Sequence, residues 1–126
     1  MEYSFKKLSA YQKAFSLAME IFTVSKSFPK EERYSLTDQI RRSSRSVAAC
    51  IAEAYRKRLY KDYFVSKVSD ADMENSETQV WLDFAQRCEY LPEERRKDLE
   101  TKASEIGKLL NHMITHSERY VISKKK

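Results

Sequence analysis

Apolar residues recur every three or four positions in four separate segments of the chain, a spacing typical of amphipathic α-helices. The first segment predicts a helix over about residues 9–26, with two neighbouring apolar stripes. The second predicts a helix over 35–58 and the third a helix over 60–88, while the fourth begins near Pro92 and fades near Tyr120. The stripe positions are, in chain order, Leu8, Tyr11, Ala14, Phe15, Leu17, Ala18, Ile21, Phe22 and Val24; Leu36, Ile40, Val47, Cys50 and Ala54; Phe64, Val68, Ala71, Leu82 and Ala85; and Leu99, Ala103, Ile106, Leu110 and Met113.

Short connections separate the predicted helices. Pro29 disfavours helical geometry at Phe28 and lacks a backbone donor, so the first helix ends before it. Ser35 is the predicted N-cap of the second helix, with Asp38 in its first turn. Pro92 suits the first turn of the last helix. Helices joined by short turns pack antiparallel, so the sequence predicts an all-α fold, an antiparallel up-down-up-down four-helix bundle.

Composition agrees with long helices in one domain. The 126 residues include one glycine, Gly107, and two prolines, which is too few for a fold rich in turns. We expect a single domain over 1–126, ordered over about 8–120, with a basic tail over 121–126. The N-terminal residues are too polar for a signal peptide, and no run reaches the roughly 20 apolar residues of a membrane span. These features predict a cytoplasmic protein without a membrane partner, in which Cys50 and Cys88 are reduced and buried.

Charge is distributed unevenly between the helices. The formal net charge is +5, and Lys124, Lys125 and Lys126 at the end of the chain contribute three of these positive charges. Residues 35–58 hold six basic and two acidic residues, whereas residues 60–88 hold three basic and six acidic residues. A basic helix is therefore followed by an acidic one, and the two can neutralise each other within a subunit or between subunits.

Candidate catalytic and metal-binding residues are sparse. A single glycine excludes a glycine-rich phosphate loop, and neither a nucleophile elbow nor a cysteine-pair zinc spacing occurs. His112 and His116 stand four apart on one helical face. They can form a two-ligand metal site, but we favour a structural role near the negative end of the last helix. The sequence thus predicts no cofactor, no metal and no enzymatic activity.

Glu53 lies among alanines, which predicts a partly buried carboxylate that needs partners. Arg56 and Lys57 follow three and four residues later, within reach on the same helix. A catalytic acid is one interpretation. We favour a structural ion pair, because no second base or nucleophile lies nearby in the sequence.

The second helix carries two groups of cations. The candidate residues for a nucleic-acid site or a subunit interface are Arg41, Arg42, Arg45, Arg56, Lys57 and Arg58. The first three flank the apolar stripe, where side chains pair with neighbouring helices or subunits. They can instead form a basic surface for phosphates, with nearby tyrosines able to stack on bases. We favour assembly over nucleic-acid binding.

Three quoted stretches carry a family resemblance: LSAYQKAFSLAMEIF, FPKEERYSLTDQIRRSSRSVAACIAEAY and ETQVWLDFAQRCEYL, in that order. Over about residues 5–120 the chain resembles the bacterial four-helix-bundle family first described as encoded by intervening sequences in 23S rRNA genes. That family is similar to the accessory variability protein of diversity-generating retroelements. Gln39, Arg41, Arg42 and Glu53 match recurrent polar residues of the family. The chain departs from it at Ala54 and Glu89, where the family often has glycine, and in the pattern around Ala71, Asp72 and Asn75.

The resemblance implies a four-helix bundle that assembles as a homopentamer and has no enzymatic activity. The retroelement branch implies binding to nucleic acid and to a reverse transcriptase through a basic surface. We therefore expect a non-enzymatic homo-oligomer whose principal partner is a second copy of itself. The alternative is a nucleic-acid-binding accessory module that acts with a reverse transcriptase or with rRNA, and so has RNA or DNA as its partner.

Overall fold

Four long helices account for most of the chain in the computed structural model, which describes residues 4–122. They are α1 (Ser9–Ser25), α2 (Leu36–Arg56), α3 (Lys61–Arg87) and α4 (Glu93–Thr115). Three short 3-10 turns occur at Phe5–Lys7, Lys30–Glu32 and Ser117–Arg119. No strand occurs between residues 4 and 122. The predicted all-α up-down-up-down bundle is confirmed, and each helix lies within a few residues of its predicted bounds.

The helices form a square in which sequence neighbours are also neighbours in space. α2 packs most extensively against α3, and α1 packs against both α2 and α4. The diagonal pairs α1–α3 and α2–α4 make no comparable contact among the described residues. Side chains from all four helices therefore meet in one core. Its fully buried members include Ile21, Ile40, Ile51, Phe64, Val68, Leu82, Leu99, Ile106 and Leu110.

A buried polar layer crosses this core. The hydroxyl groups of Ser43 on α2 and Thr78 on α3 lie 2.8 Å apart, and neither residue is accessible to solvent. The Asn75 amide donates to the Ala103 carbonyl of α4 at 2.9 Å. These hydrogen bonds join α2 to α3 and α3 to α4. Because each bond needs particular residues to face each other, they fix the relative positions of the three helices more closely than apolar contacts would.

The N-terminus of α2 differs from the prediction. Ser35 makes no side-chain capping bond; its hydroxyl instead donates to the Glu32 carboxylate at 2.6 Å. The same carboxylate oxygen accepts the Leu36 backbone N–H at 3.2 Å. Glu32 therefore performs the capping that we predicted for Ser35. Its other oxygen accepts the Tyr90 hydroxyl at 2.8 Å, which joins the α1–α2 connection to the α3–α4 connection.

The C-terminal end of the described chain and the cysteines also differ from expectation. Val121 and Ile122, which we assigned to the tail, belong to the folded domain: Val121 packs against the core, and the Ile122 N–H donates to the Arg58 carbonyl at 2.9 Å. Lys124, Lys125 and Lys126 lie outside the described residues. Both cysteines are free thiols, but Cys88 is exposed and only Cys50 is partly buried. Burial raises the pKa of the Cys50 thiol.

Candidate interaction surfaces

The first three arginines of α2 differ in their surroundings. Arg42 forms ion pairs with Glu74 and Glu77 on α3, and Glu77 also accepts the Trp81 indole N–H at 3.1 Å. The positive charge of Arg42 is thus neutralised within the subunit. The basic and acidic helices thus neutralise each other at this point within one subunit, which is one of the two arrangements expected from the sequence.

Arg41 and Arg45 have a different environment. The Arg41 Nε donates to the Ser25 hydroxyl at 2.8 Å, and its guanidinium lies 4.7 Å from the centre of the Phe22 ring. Arg41 therefore holds the end of α1 against α2. Arg45 lies 5.8 Å from the same ring and is exposed. No acidic side chain within residues 4–122 pairs with it.

The second group of cations lies at the α2–α3 connection. Arg58 stacks on Tyr55 at 3.6 Å and donates to its carbonyl, so its role is local. Lys57 lies 5.1 Å from the Tyr63 ring, and Arg56 has no acidic partner in the described part of the chain. We call Arg56, Lys57, Arg58 and Lys61, with the exposed rings of Tyr60 and Tyr63, the basic corner.

Glu53 is exposed, so the predicted partial burial is wrong. Ala48 and Ala54 are buried on the side of α2 that faces the core, whereas Glu53 is exposed on the side next to α3. Its carboxylate pairs with Lys67 of α3 at 2.7 Å, rather than with the predicted Arg56 and Lys57. The Glu53 carboxylate raises the pKa of Lys67 through this bond.

The two histidines pair with each other and with a tyrosine. The His112 and His116 rings stack with centroids 4.2 Å apart, and the His112 Nδ1 lies 3.0 Å from the Tyr120 hydroxyl. Tyr120 in turn stacks on the buried Phe64. No group of three or more His, Cys, Asp or Glu residues suited to a metal ion occurs across residues 4–122. This arrangement secures the segment after α4.

Among residues 4–122, two groups of exposed apolar side chains lie along helix faces, and neither was predicted from the sequence. The first, which we call the groove, lies between α1 and α2 and has a volume of about 390 Å³. Phe15 and Met19 are half exposed along it, although the sequence placed Phe15 in a core stripe. Its lining residues are Phe5, Tyr11, Phe15, Ala18, Met19, Arg45, Ala48, Ala49 and Ala52.

The second apolar surface, which we call the ridge, runs along the outer side of α3. Met73, Val80 and Phe84 are 59%, 47% and 53% exposed, and their spacing of seven and four residues places them on one helical face. Both surfaces consist of apolar residues that recur at helical spacing on a face other than the one that packs in the core. The sequence shows that such a helix has a second apolar face, but it does not tell which of the two faces is buried.

These features define a class of protein: an all-α four-helix bundle with two exposed apolar surfaces, a basic corner and partly neutralised arginines on α2. The family model described as "23S rRNA-intervening sequence protein" matches residues 6–112, so the chain belongs to this family. The resemblance to the family encoded by 23S rRNA intervening sequences, inferred from the sequence, is therefore confirmed.

A solved structure extends the comparison. The chain is similar to a protein of unknown function from the S23 ribosomal protein family of Bacteroides thetaiotaomicron. The two are 30% identical, the match covers 84% of this chain and 95% of the other, and the TM-score is 0.76. A search of curated proteins finds no match. No helix in the described part of the chain combines the length and apolar character needed to cross a membrane.

Proposed function

We propose that this protein acts as a self-assembling, non-enzymatic bundle whose functional form is a closed homo-oligomer, most simply the pentamer implied by the family resemblance. One observation carries the proposal: a small domain leaves two separate surfaces of large apolar side chains about half exposed. Clusters of exposed large apolar side chains on the surface of a soluble protein mark interaction sites. Two distinct surfaces on one subunit also favour assembly beyond a dimer.

Sedimentation velocity over about 1–100 µM protein tests this proposal, because apolar burial scales with contact area and sustains assembly at micromolar concentration. We expect one species heavier than a dimer across the range. A species that sediments as a 14.9 kDa monomer at the highest concentration would refute it.

A second candidate function is binding of nucleic acid, as an accessory to a reverse transcriptase or an rRNA. It is favoured by the basic corner, where Arg56, Lys57 and Lys61 have no acidic partner among residues 4–122 while Tyr60 and Tyr63 are 52% and 60% exposed. Cations that track phosphates beside rings that stack on bases are the features of single-strand binding. The sequence continues from Ile122, which is bonded to this corner, into Ser123 and the three terminal lysines.

Fluorescence anisotropy with a labelled single strand tests this second function at about 50 mM salt, where electrostatic binding is strongest. We expect binding that weakens steeply with salt and falls by tenfold or more in the triple variant Arg56→Ala/Lys57→Ala/Lys61→Ala. The matched control Lys13→Ala/Lys26→Ala/Lys108→Ala removes equal charge from exposed positions elsewhere and retains binding. Absence of binding by the unaltered protein at this salt would remove the candidate.

A further inference from the structure

The groove and the ridge differ in shape in a way that makes them complementary. The groove is concave, and small side chains form part of its floor: Ala49 is exposed and Ala52 is half-buried. Small residues allow a second helix to approach closely. The ridge is a row of large side chains that projects from a single helix. A ridge fits into a groove better than two ridges or two grooves fit together.

The dimensions of the two surfaces also correspond. From Tyr11 to Met19 the groove follows eight residues of α1, or about 12 Å at 1.5 Å per residue. From Met73 to Phe84 the ridge follows eleven residues of α3, or about 16 Å. One ridge can therefore occupy the groove along its whole length.

Charge distinguishes the possible pairings. Arg45 lines the groove and has no acidic partner among the described residues. Contact of two grooves would therefore bring two such guanidinium groups together, which disfavours that pairing. The ridge face carries both signs of charge: Glu77, between Met73 and Val80, is paired with Arg42, and Arg87, three residues after Phe84, is exposed. Contact of a groove with a ridge avoids the repulsion between two Arg45 side chains and is the pairing that shape favours.

We propose that the ridge of one subunit docks into the groove of a second copy, with Met73, Val80 and Phe84 packing against Phe15, Met19 and Ala49. This inference rests on the proposed self-assembly and specifies how it occurs. The contact is heterologous, so every added subunit offers one free groove and one free ridge. Growth then continues until rotation closes a ring, and the chain needs no second type of interface.

Two single substitutions separate this arrangement from its alternatives. Ala49→Glu fills the groove, and Val80→Glu places a carboxylate on the ridge; both sites are exposed helix positions that accept glutamate. Ser104→Glu on α4 adds the same charge at an exposed site outside both surfaces and serves as the control. Circular dichroism establishes that each variant is folded. Met19→Glu and Met73→Glu replace the first pair if either variant unfolds.

Light scattering at about 100 µM gives the masses; apolar interfaces of this kind hold at such concentrations. We expect Ala49→Glu and Val80→Glu each to be monomeric and the control to match the unaltered protein. An equimolar mixture of the two variants should form a heterodimer of twice the chain mass, because each supplies the intact surface that the other lacks. The two altered surfaces both carry glutamate and repel, so the mixture stops at two chains.

Other outcomes overturn the pairing. If only one variant is monomeric and the other still assembles, the contact joins two like surfaces. If both variants retain the mass of the unaltered protein, or if their mixture stays monomeric, the groove and the ridge do not meet. A monomeric unaltered protein refutes the proposed self-assembly itself and is recognised before any variant is compared.

Discussion

Glu89, at the end of α3, has a backbone conformation that glycine adopts more easily. Its φ is 67°, in the left-handed region where a side chain costs about 1 kcal/mol. The Tyr90 N–H donates to the Ala85 carbonyl and the Glu89 N–H to the Gln86 carbonyl, both at 2.9 Å. These two bonds form a Schellman motif, which usually has glycine at this position. Glu89, where the family resemblance implies a glycine, therefore occupies a backbone position that favours glycine.

We predict that Glu89→Gly increases the free energy of unfolding by about 1 kcal/mol, because it relieves this backbone strain. Urea denaturation monitored by circular dichroism measures the change. Glu89→Ala is the matched control: it removes the carboxylate but keeps the strain, so its stability should stay close to that of the unaltered protein. Equal stabilisation by glycine and alanine would show that the carboxylate, not the backbone, is responsible.

Glu32 provides a pH-dependent contribution to stability. Its carboxylate accepts hydrogen bonds from Ser35, Tyr90 and the Leu36 N–H, and these lower its pKa below the ordinary value of 4.5. A carboxyl group with a lowered pKa contributes stability that is present above the unfolded-state pKa. That contribution is lost as the pH falls through the lower, folded-state pKa.

We therefore predict that Glu32→Gln destabilises the protein at about pH 7 and that the difference shrinks below about pH 4.5, as both states of the unaltered protein become protonated. Denaturation curves at several pH values measure it. The control Glu31→Gln removes a neighbouring carboxylate that makes none of these bonds, and its effect should not follow this pH course. A Glu32→Gln difference that grows as the pH falls would contradict the assignment.

At the scale of the helices, the hydroxyl pair of Ser43 and Thr78 couples α2 to α3. Each hydroxyl also has a backbone carbonyl within reach: Thr78 donates to Glu74 at 2.9 Å, and Ser43 lies 3.4 Å from the Ile40 carbonyl. Removing one partner therefore does not leave the other without any acceptor. The energetic effect of the pair is then that of one buried hydrogen bond.

We predict a coupling free energy of about 1 kcal/mol between Ser43→Ala and Thr78→Val in a double-mutant cycle. The double variant should be less destabilised than the sum of the single variants, because the second substitution has no bond left to remove. Thermal and urea unfolding of the four proteins supply the values. Strict additivity would show that the hydroxyl groups do not interact.

The sequence predicted the helices well because their number and bounds depend on local spacing and on Pro29 and Pro92. It did not predict which α1 stripe is buried, since Phe15 and Ala14 both lie at helical spacing and only packing decides between them. Arg42 and Glu53 find their partners on α3, 32 and 14 residues away at Glu74 and Lys67. The sequence indicated that Arg42 pairs with a neighbouring helix or subunit but could not name the residue. For Glu53 it favoured partners three and four residues distant, because only those are fixed by local geometry.

At the scale of the whole molecule, different parts of the bundle are suited to different contacts. The groove and the ridge lie along its sides and are available to other subunits. The basic corner lies at the end of the bundle where α2 connects to α3. Ile122 lies at the same end, because its N–H donates to the Arg58 carbonyl. In a cyclic assembly every subunit has the same orientation relative to the axis, so all basic corners occupy equivalent positions around it. A polyanion that contacts several corners at once would bind more tightly than to one subunit.

The central claim is that the chain assembles head to tail into a closed ring, and native mass spectrometry of the unaltered protein tests it most directly. We expect one discrete assembly whose mass is five times that of the 14.9 kDa chain, because ring closure satisfies every groove and every ridge. A monomer, an assembly limited to two chains or an open series of increasing masses would contradict the claim.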